Sequence, residues 1–288
     1  SGTEAIEGSI KLVKKATRRS KIIAANNSYH GSTYGSLSLL GRKKQKIGYY
    51  PMMPSVRFIK FNSYSDINKI DNKTAGVILE TIQGGAGFIL PKKGYLKKVK
   101  ERCEKVGALL ILDEIQPGFG RTGSFFEFEN HNISPDILVM GKGMGGGLPI
   151  GAFSSSKKIM KLFETQPRLG HITTFGGNPL ISASALATIK EIKKSKLLYE
   201  IPNKEKLFRK YLIHKKIKKI NGKGLMLALI LKSKETANKL IKECIKDGLL
   251  LFWLLWEEKA VRISPPLNIK NKEIKIGCEI ITKVLDRI

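Results

Sequence analysis

The chain contains 288 residues, a length that allows about two domains or one large α/β domain with an appended unit. Hydrophobic residues make up 42% and charged residues 26%, a balance that argues against intrinsic disorder. The formal net charge is +28, which raises nucleic-acid binding as a first hypothesis.

The kind of basic residue argues against nucleic-acid binding as the main function. Of the 52 basic residues, 42 are lysines, whereas proteins that read phosphates and bases rely on the planar fork of arginine. The lysines are dispersed, and no aromatic residues alternate with them as a surface for stacked bases would need. We therefore expect no nucleic-acid partner, and a basic RNA-binding module stays a remote alternative.

The cysteines and histidines show no metal or disulfide spacing. The three cysteines lie far apart without a CxxC pair, and the four histidines form no HxxxH or HExxH pattern. The longest apolar run, residues 248–256, is too short to span a bilayer, and no signal peptide opens the chain. We expect a cytoplasmic protein without a metal site and without a membrane partner.

Apolar runs and helical patterns alternate over the first two thirds of the chain. A capping box at residues 1–4 predicts a helix over 3–16, and a polar loop follows at 26–36. Strands are predicted at 22–25, 56–61, 76–79, 109–112, 137–140 and 150–153, and helices at 91–106 and 179–193. Strands that are apolar throughout and separated by helices predict a mostly parallel sheet covered on both faces.

The pattern changes after about residue 194. Helices are predicted at 204–212, 235–247 and 272–287, with strands at 224–231, near Leu250 and near Val261. This mixture predicts a smaller C-terminal α+β domain. The expected domains are therefore residues 1–193 and residues 194–288.

Three polar groups stand where predicted strands end: Glu80, Asp113 and the turn around Lys142. Ligands of parallel sheets bind beyond the carboxyl ends of the strands, so these groups are candidates for chemistry. Lys142 lies within a run of glycines, and a lysine held there away from bulk solvent could act as a Schiff-base nucleophile. The alternative is an exposed lysine in a flexible turn.

The lysine segment also satisfies GxGxxG, the pattern of a dinucleotide site. That pattern must open a helix, whereas residues 148–153 predict a turn and a strand. The dinucleotide interpretation is therefore weak.

Asp113 needs a partner, because a carboxylate at a buried strand end requires a cation or several donors. A protonated pyridine nitrogen would fit, and its positive charge makes the ring an electron sink. A helix cap or an ion pair with Arg121 is the alternative.

Residues 113–123, DEIQPGFGRTG, followed by the GKG turn at 141–143, resemble the class III aminotransferases. These are fold type I enzymes that use pyridoxal 5′-phosphate (PLP), such as acetylornithine and ornithine aminotransferases. Further matching segments occur in the family's order at residues 1–5, 29–32, 80–87, 173–179 and 262–267. The resemblance covers nearly the whole chain and implies the fold type I α/β architecture with a smaller C-terminal domain.

The resemblance implies roles for the groups around the cofactor ring. Lys142 would form the internal aldimine and move the proton between the substrate Cα and the cofactor, and Asp113 would pair with the pyridinium nitrogen. Gln116 would lie near the phenolic oxygen, and Tyr29 would stack on the ring. The remaining cofactor contacts that it implies are His30 and Glu80.

The resemblance also implies which residues bind the cofactor phosphate and the substrate carboxylate. Gly2 and Thr3 match the phosphate-binding turn, which agrees with the preference of a helix N-terminus for anions. Thr174 matches a residue that reaches the phosphate from the partner subunit of a homodimer, and Arg262 matches the arginine that holds the substrate α-carboxylate. The alternatives are a loop aromatic for Tyr29, a helix-capping role for Thr174 and a structural ion pair for Arg262.

The sequence departs from the family pattern at two places. Acetylornithine- and ornithine-type enzymes carry a second glutamate where this chain has Gly85. Because that glutamate is thought to neutralise the carboxylate-binding arginine in one half-reaction, its absence leaves Arg262 available for carboxylates and weakens an ω-specific assignment. The chain also begins at the phosphate-binding turn, so we expect an N-terminal segment that supplies substrate contacts to be missing.

The implied activity is a ping-pong amino transfer by a homodimer. An amino donor would convert PLP to pyridoxamine phosphate, and 2-oxoglutarate would accept the amine. The favoured donor is N-acetylornithine, in arginine biosynthesis. Succinylornithine, a diaminopimelate-type compound, another ω-amino acid and an α-amino acid stay open, as does an aminomutase or racemase reaction.

Overall fold

The computed structural model describes residues 1–288, which form eight helices and ten strands in two separate sheets. The helices are α1 (Gly2–Thr17), α2 (Tyr34–Ser38), α3 (Tyr95–Val106), α4 (Lys157–Met160), α5 (Pro179–Lys194), α6 (Leu197–Tyr211), α7 (Lys234–Lys246) and α8 (Asn271–Arg287). The strands are β1 (Lys21–Ala25), β2 (Val56–Ile59), β3 (Thr74–Glu80), β4 (Leu109–Asp113), β5 (Ile137–Gly141), β6 (Gly151–Ser155), β7 (Ile217–Lys223), β8 (Met226–Leu231), β9 (Phe252–Trp253) and β10 (Ala260–Ile263).

The larger sheet has six strands in the order β2-β1-β3-β4-β5-β6. The first five strands in this order run parallel, and β6 is antiparallel to β5. Every residue of β3 is buried, because both faces of the sheet are covered. The predicted α/β architecture with a mostly parallel sheet is confirmed.

Helices on opposite faces of this sheet bury the two halves of its core. On α1 the apolar side chains of Ile6, Ile10 and Val13 recur at helical spacing and pack against one face. On α3, Leu96 and Val99 pack against the other face. This covering leaves the carboxyl ends of the parallel strands as the open edge of the sheet.

The smaller sheet is antiparallel, with the order β7-β8-β10-β9. Strand β8 is completely buried. One of its faces packs against α6, α7 and α8, and the other packs against Ile82 and Phe88 of the larger unit. Strand β7 was not predicted, because its sequence IKKINGK is rich in lysine. It lies at the edge of the sheet and pairs only with β8, a position where charged residues are common.

Two helix boundaries differ from the sequence prediction. Helix α3 begins at Tyr95 rather than at Pro91, because Gly94 has a φ of 76°, which is incompatible with a right-handed helix. Helix α6 begins at Leu197 rather than at Lys204 and continues through Pro202, although proline disfavours helix interiors. None of the eight helices has both the length and the apolar composition that a bilayer crossing requires.

Candidate active site

Three neighbouring strands bring their polar ends to one edge of the larger sheet. Glu80 ends β3 and lies directly opposite Asp113, which ends β4. Lys142 follows Gly141, the last residue of β5, and β5 is the other neighbour of β4. The parallel arrangement therefore places the two carboxylates and the amine on the same side of the sheet.

A cavity of about 660 Å³ lies between this edge and the β9 segment of the smaller sheet, within the usual size of ligand sites. Its walls include nine of the ten residues that the sequence selected: Gly2, Thr3, Tyr29, His30, Glu80, Asp113, Gln116, Lys142 and Arg262. The tenth, Thr174, lies in a separate groove beside the start of α1. Its predicted contact is with the phosphate bound by the partner subunit of a homodimer.

Lys142 is held in a strained turn and points into the cavity. Its φ is 42°, in the left-handed region that residues other than glycine rarely adopt. The surrounding walls remove water from the side chain, and this burial lowers the pKa of Lys142, with Asp113 and Glu80 acting in the opposite direction. The lysine is thus a wall of the cavity rather than part of a turn in open solvent.

The turn that carries Lys142 does not open an α-helix. A 3-10 turn covers Lys142–Gly145, and the antiparallel strand β6 follows. The dinucleotide interpretation is therefore wrong, since the helix N-terminus it requires is missing.

Asp113 is fixed by two hydrogen bonds and is almost fully buried. Its Oδ2 lies 2.8 Å from Nδ1 of the buried His30, and its Oδ1 accepts the backbone N–H of Ile115 at 3.0 Å. Nε2 of His30 is buried without a hydrogen-bond partner. The proposed ion pair with Arg121 is wrong, because that guanidinium donates to the carbonyls of Leu225 and Pro265.

Glu80 holds the backbone of two loops. One carboxylate oxygen accepts the N–H of Tyr29 at 3.1 Å, and the other accepts the N–H of Gly84 at 2.9 Å. Burial raises the pKa of Glu80 to about 7; the charge of Asp113 adds to this effect, and His30 and the two hydrogen bonds oppose it. Glu80 therefore fixes the positions of Tyr29 and Gly84 at the rim of the cavity.

The N-terminus of α1 forms one end of the cavity. Gly2 and Thr3 are the first residues of this 16-residue helix, so their N–H groups have no acceptor within it. The Thr3 hydroxyl lies 2.8 Å from the hydroxyl of Thr33 and 2.7 Å from that of Ser36. Free N–H groups, hydroxyl groups and the positive end of the helix dipole together suit an anion.

Arg262 enters the same cavity from β10, in the smaller sheet. Its guanidinium lies 5.0 Å from the ring of Phe252, and no carboxylate pairs with it. Burial lowers the pKa of Arg262, and the guanidinium stays charged at neutral pH because arginine is not deprotonated in proteins. The alternative of a structural ion pair is therefore wrong, and the guanidinium is free to bind a carboxylate.

An apolar wall of the cavity was missed by the sequence analysis. It consists of Phe252, Trp253, Leu254 and Leu255, which belong to the apolar run that was interpreted as too short for a membrane span and as a strand near Leu250. The neighbouring Trp256 was missed as well. One feature of the sequence could have indicated this wall: the apolar run at residues 248–256 is longer than the short strand β9 needs.

Trp256 explains how the chain accommodates Gly85. A Cβ atom at position 85 would lie 2.7 Å from the indole Nε1 of Trp256, a distance that real Cβ atoms do not show. The Gly85 carbonyl also accepts the backbone N–H of Trp256 at 2.9 Å. The indole ring, whose centroid is 6.3 Å from that of Tyr29, thus fills the space that a side chain at position 85 would need.

The known proteins that resemble the chain agree on one family. The model of the family described as aminotransferase class III matches residues 1–285. The chain belongs to the class III aminotransferases. These enzymes depend on PLP, as do their structural neighbours.

Individual relatives support the same family. An acetylornithine aminotransferase of Caldanaerobacter subterraneus is 36% identical over the whole chain and 75% of its own length. A [LysW]-aminoadipate semialdehyde/glutamate semialdehyde transaminase of Sulfolobus acidocaldarius is 41% identical over 80% of the chain and 60% of its own length. The crystal structure of ornithine aminotransferase from Toxoplasma gondii superimposes with a TM-score of 0.93 at 29% identity, covering 100% of the chain and 71% of the neighbour. The chain therefore spans only part of each relative.

The residues of the cavity fit PLP. The cofactor combines a phosphate, an aromatic ring with a basic nitrogen and an aldehyde. The cavity offers an anion site at α1, a buried carboxylate at Asp113, an aromatic face at Tyr29 and an amine at Lys142. Each chemical part of PLP thus has a matching group in the same cavity.

Proposed function

We propose that this chain catalyses amino transfer from an amino acid to 2-oxoglutarate with PLP as cofactor. The observation that carries the proposal is the convergence of Lys142, Asp113 and Arg262 on one cavity, from two different sheets. An amine, a counter-ion and a free guanidinium are the groups that amine chemistry on a carboxylate substrate needs.

The proposed cofactor-binding residues surround the cavity. Gly2 and Thr3 would bind the phosphate, and Asp113 would hold the positive charge of the ring nitrogen. Tyr29 would pack on the ring, and Gln116 would contact its oxygen. His30 and Glu80 would act through the hydrogen bonds that fix Asp113 and Tyr29. Thr174 would reach the phosphate of the partner subunit.

The proposed mechanism divides the work among three side chains. When bound, PLP supplies an aldehyde that reacts with amines and a ring that withdraws electrons. Lys142, with its lowered pKa, would take the proton from the substrate carbon that bears the reacting amine and would deliver it to the cofactor. Arg262 would bind a substrate carboxylate and so orient that carbon, while the apolar wall beginning at Phe252 limits access of water.

N-acetylornithine is the proposed donor. The only acidic residues in the cavity wall, Glu80 and Asp113, are buried and already hydrogen-bonded, so a second free ammonium on the donor would find no counter-ion. An acetylated amine is neutral and suits the apolar wall. Relatives that are 36% and 39% identical carry the name acetylornithine aminotransferase, which supports a place in arginine biosynthesis.

A donor panel tests this function. Single donors are added to PLP-loaded protein, and loss of the visible absorbance of the bound cofactor is followed. We expect N-acetylornithine and glutamate to discharge the band, and ornithine to do so at least about tenfold less efficiently, because its second ammonium stays unpaired. If glutamate discharges the band and no ω-amine does, the acetylornithine assignment fails. Succinylornithine, diaminopimelate and an amino acid whose terminal amine is converted to a semialdehyde complete the panel.

We further propose that the chain acts as a homodimer. Several large apolar side chains between residues 172 and 186 are more than half exposed, including Ile172, Phe175 and Leu180. Ile172 and Phe175 line the groove that contains Thr174. A second copy of the chain would cover this apolar surface and would bring Thr174 toward the phosphate end of the neighbouring cavity.

Substitution of this surface tests the dimer. Phe175→Asp is expected to shift the protein to a monomer in sedimentation velocity and to weaken PLP binding. The matched control is Ile213→Asp, because Ile213 is equally exposed (77% against 74%) but lies in the smaller unit. Equal sedimentation of unaltered protein and Phe175→Asp at 32.1 kDa would contradict the proposal.

Two broader proposals complete the assignment. We place the domain boundary between residues 193 and 194, at the C-terminal end of α5, because the largest core clusters on either side of this point are separate. We place the protein in the cytoplasm, because all three cysteines are free and buried, as expected in a reducing compartment.

A further inference from the structure

Arg121 links the two sheets next to the cavity. Its Nη1 donates to the carbonyl of Leu225 at 3.3 Å and to the carbonyl of Pro265 through a shorter hydrogen bond. The backbone carbonyl of Arg121 also accepts the N–H of Leu225 at 2.9 Å. Three hydrogen bonds therefore join this residue of the larger unit to two segments of the smaller one.

Both segments adjoin Arg262. Leu225 directly precedes β8, and in the β8–β10 pair Arg262 lies opposite Ala228. Pro265 follows Arg262 by three residues. On the other side, Arg121 lies in the loop that follows Asp113, the last residue of β4. Arg121 thus connects the loop of the cofactor site directly with the strand that carries the free guanidinium.

The charge of Arg121 has no acidic partner. Its guanidinium donates to carbonyls, and burial lowers its pKa to about 10. A second cavity of about 730 Å³ contains Arg121, Lys142 and Arg262 in its wall and no acidic residue. A planar guanidinium can bridge two carbonyls from different segments, whereas the single ammonium of lysine is a point donor on a flexible stem.

We propose that Arg121 is a positioning residue that sets the location of Arg262 relative to Lys142 and thereby the affinity for carboxylate substrates. This inference rests on the proposed function, in which Arg262 binds the carboxylate. It assigns to Arg121 no contact with substrate or cofactor. Its loss is expected to weaken carboxylate binding while leaving the cofactor site intact.

Glutarate is the probe, because it is a dicarboxylate without a reactive carbonyl group. Its affinity for the PLP-loaded protein is measured by calorimetry, together with the visible cofactor band and the Tm. We expect Arg121→Lys to weaken glutarate binding by roughly 10- to 100-fold with an unchanged band, since small displacements of a positioned group have effects of this size. Arg121→Ala should weaken it further, and Arg262→Ala should abolish it.

Arg209→Lys is the matched control. Arg209 also donates to two carbonyls, those of Ile220 and Gly222, but it lies away from the cavity. The Arg209→Lys variant should change the Tm as much as Arg121→Lys does and should leave the affinity for glutarate unchanged. The positioning role is overturned if Arg121→Lys binds glutarate within about twofold of the unaltered protein, if Arg209→Lys weakens binding equally, or if Arg121→Lys loses the cofactor band.

The two proposals fail in different measurements. Absence of a cofactor band in the unaltered protein contradicts the proposed function, before any variant is compared. With the band present in the unaltered protein, the behaviour of Arg121→Lys bears on the positioning role alone.

Discussion

Lys142→Ala is expected to lower kcat by roughly 10⁴-fold or more and to remove the visible band of the bound cofactor. Lys142 is the only lysine in the wall of the 660 Å³ cavity, so no other amine stands ready to take the proton from the substrate. Borohydride reduction of the unaltered protein, followed by digestion and mass spectrometry, should recover the cofactor on the peptide that contains residue 142. The same treatment of the variant should recover none.

Lys46→Ala is the matched control for this experiment. Lys46 is another buried lysine whose pKa is lowered by burial, but its ammonium donates to the carbonyl of Ser38 outside the cavity. The control should keep both the band and the activity, although it will lose some stability. A Lys142→Ala protein that retains the band would refute the assignment of the reactive amine.

Asp113→Asn is expected to lower kcat/KM by about 10³-fold, or ~4 kcal/mol, because removal of one charge from a buried pair costs roughly 3–5 kcal/mol. The amide keeps the size of the carboxylate and can still accept one hydrogen bond, from Ile115 or His30. It cannot balance the positive charge of a ring nitrogen. Steady-state kinetics with glutamate as donor, together with the wavelength of the cofactor band, measure the effect.

Glu114→Gln separates this effect from damage to the fold. Glu114 is the neighbouring carboxylate, fully buried, and it accepts hydrogen bonds from the Thr81 hydroxyl and two backbone N–H groups outside the cavity. We expect Glu114→Gln to lower the Tm more than Asp113→Asn does. The side-chain amide nitrogen of the glutamine would face an N–H or O–H donor in place of an acceptor, and that donor would lose its hydrogen bond. Its kcat/KM should change by less than about tenfold. A larger fall in kcat/KM for Glu114→Gln than for Asp113→Asn would contradict the role of Asp113.

Local sequence was sufficient to select the three groups at strand ends, Glu80, Asp113 and Lys142, and the family resemblance supplied the other site residues. Lys142 and Asp113 follow apolar runs that are long enough to be buried parallel strands, and the carboxyl ends of such strands meet at one edge. Gly2 and Thr3 were implied by the resemblance, and the helix start that the capping pattern marks agrees with an anion site there. These features depend on residues close together in the chain, so the pattern contains the information.

The sequence was less informative where partners lie far apart in the chain. The pairing of His30 with Asp113 joins residues 83 positions apart, and the placement of Trp256 beside Gly85 depends on how the smaller sheet meets the larger. The alternative that paired Asp113 with Arg121 is wrong for the same reason, since Arg121 donates to carbonyls of distant segments. Spacing shows that a charge needs a partner but does not say which distant segment provides it.

By itself, the sequence determined the family, the α/β sheet with its smaller C-terminal unit, and nine residues that meet in one cavity. Hydrophobic period and strand-end chemistry are local properties, which is why they can be read along the chain. Only the tertiary structure decided that Arg262 has no acidic partner, that an apolar wall faces it and that Arg121 joins its strand to the cofactor loop. These facts arise from the packing of two sheets whose contacting residues lie more than 100 positions apart, and no local pattern records such a contact.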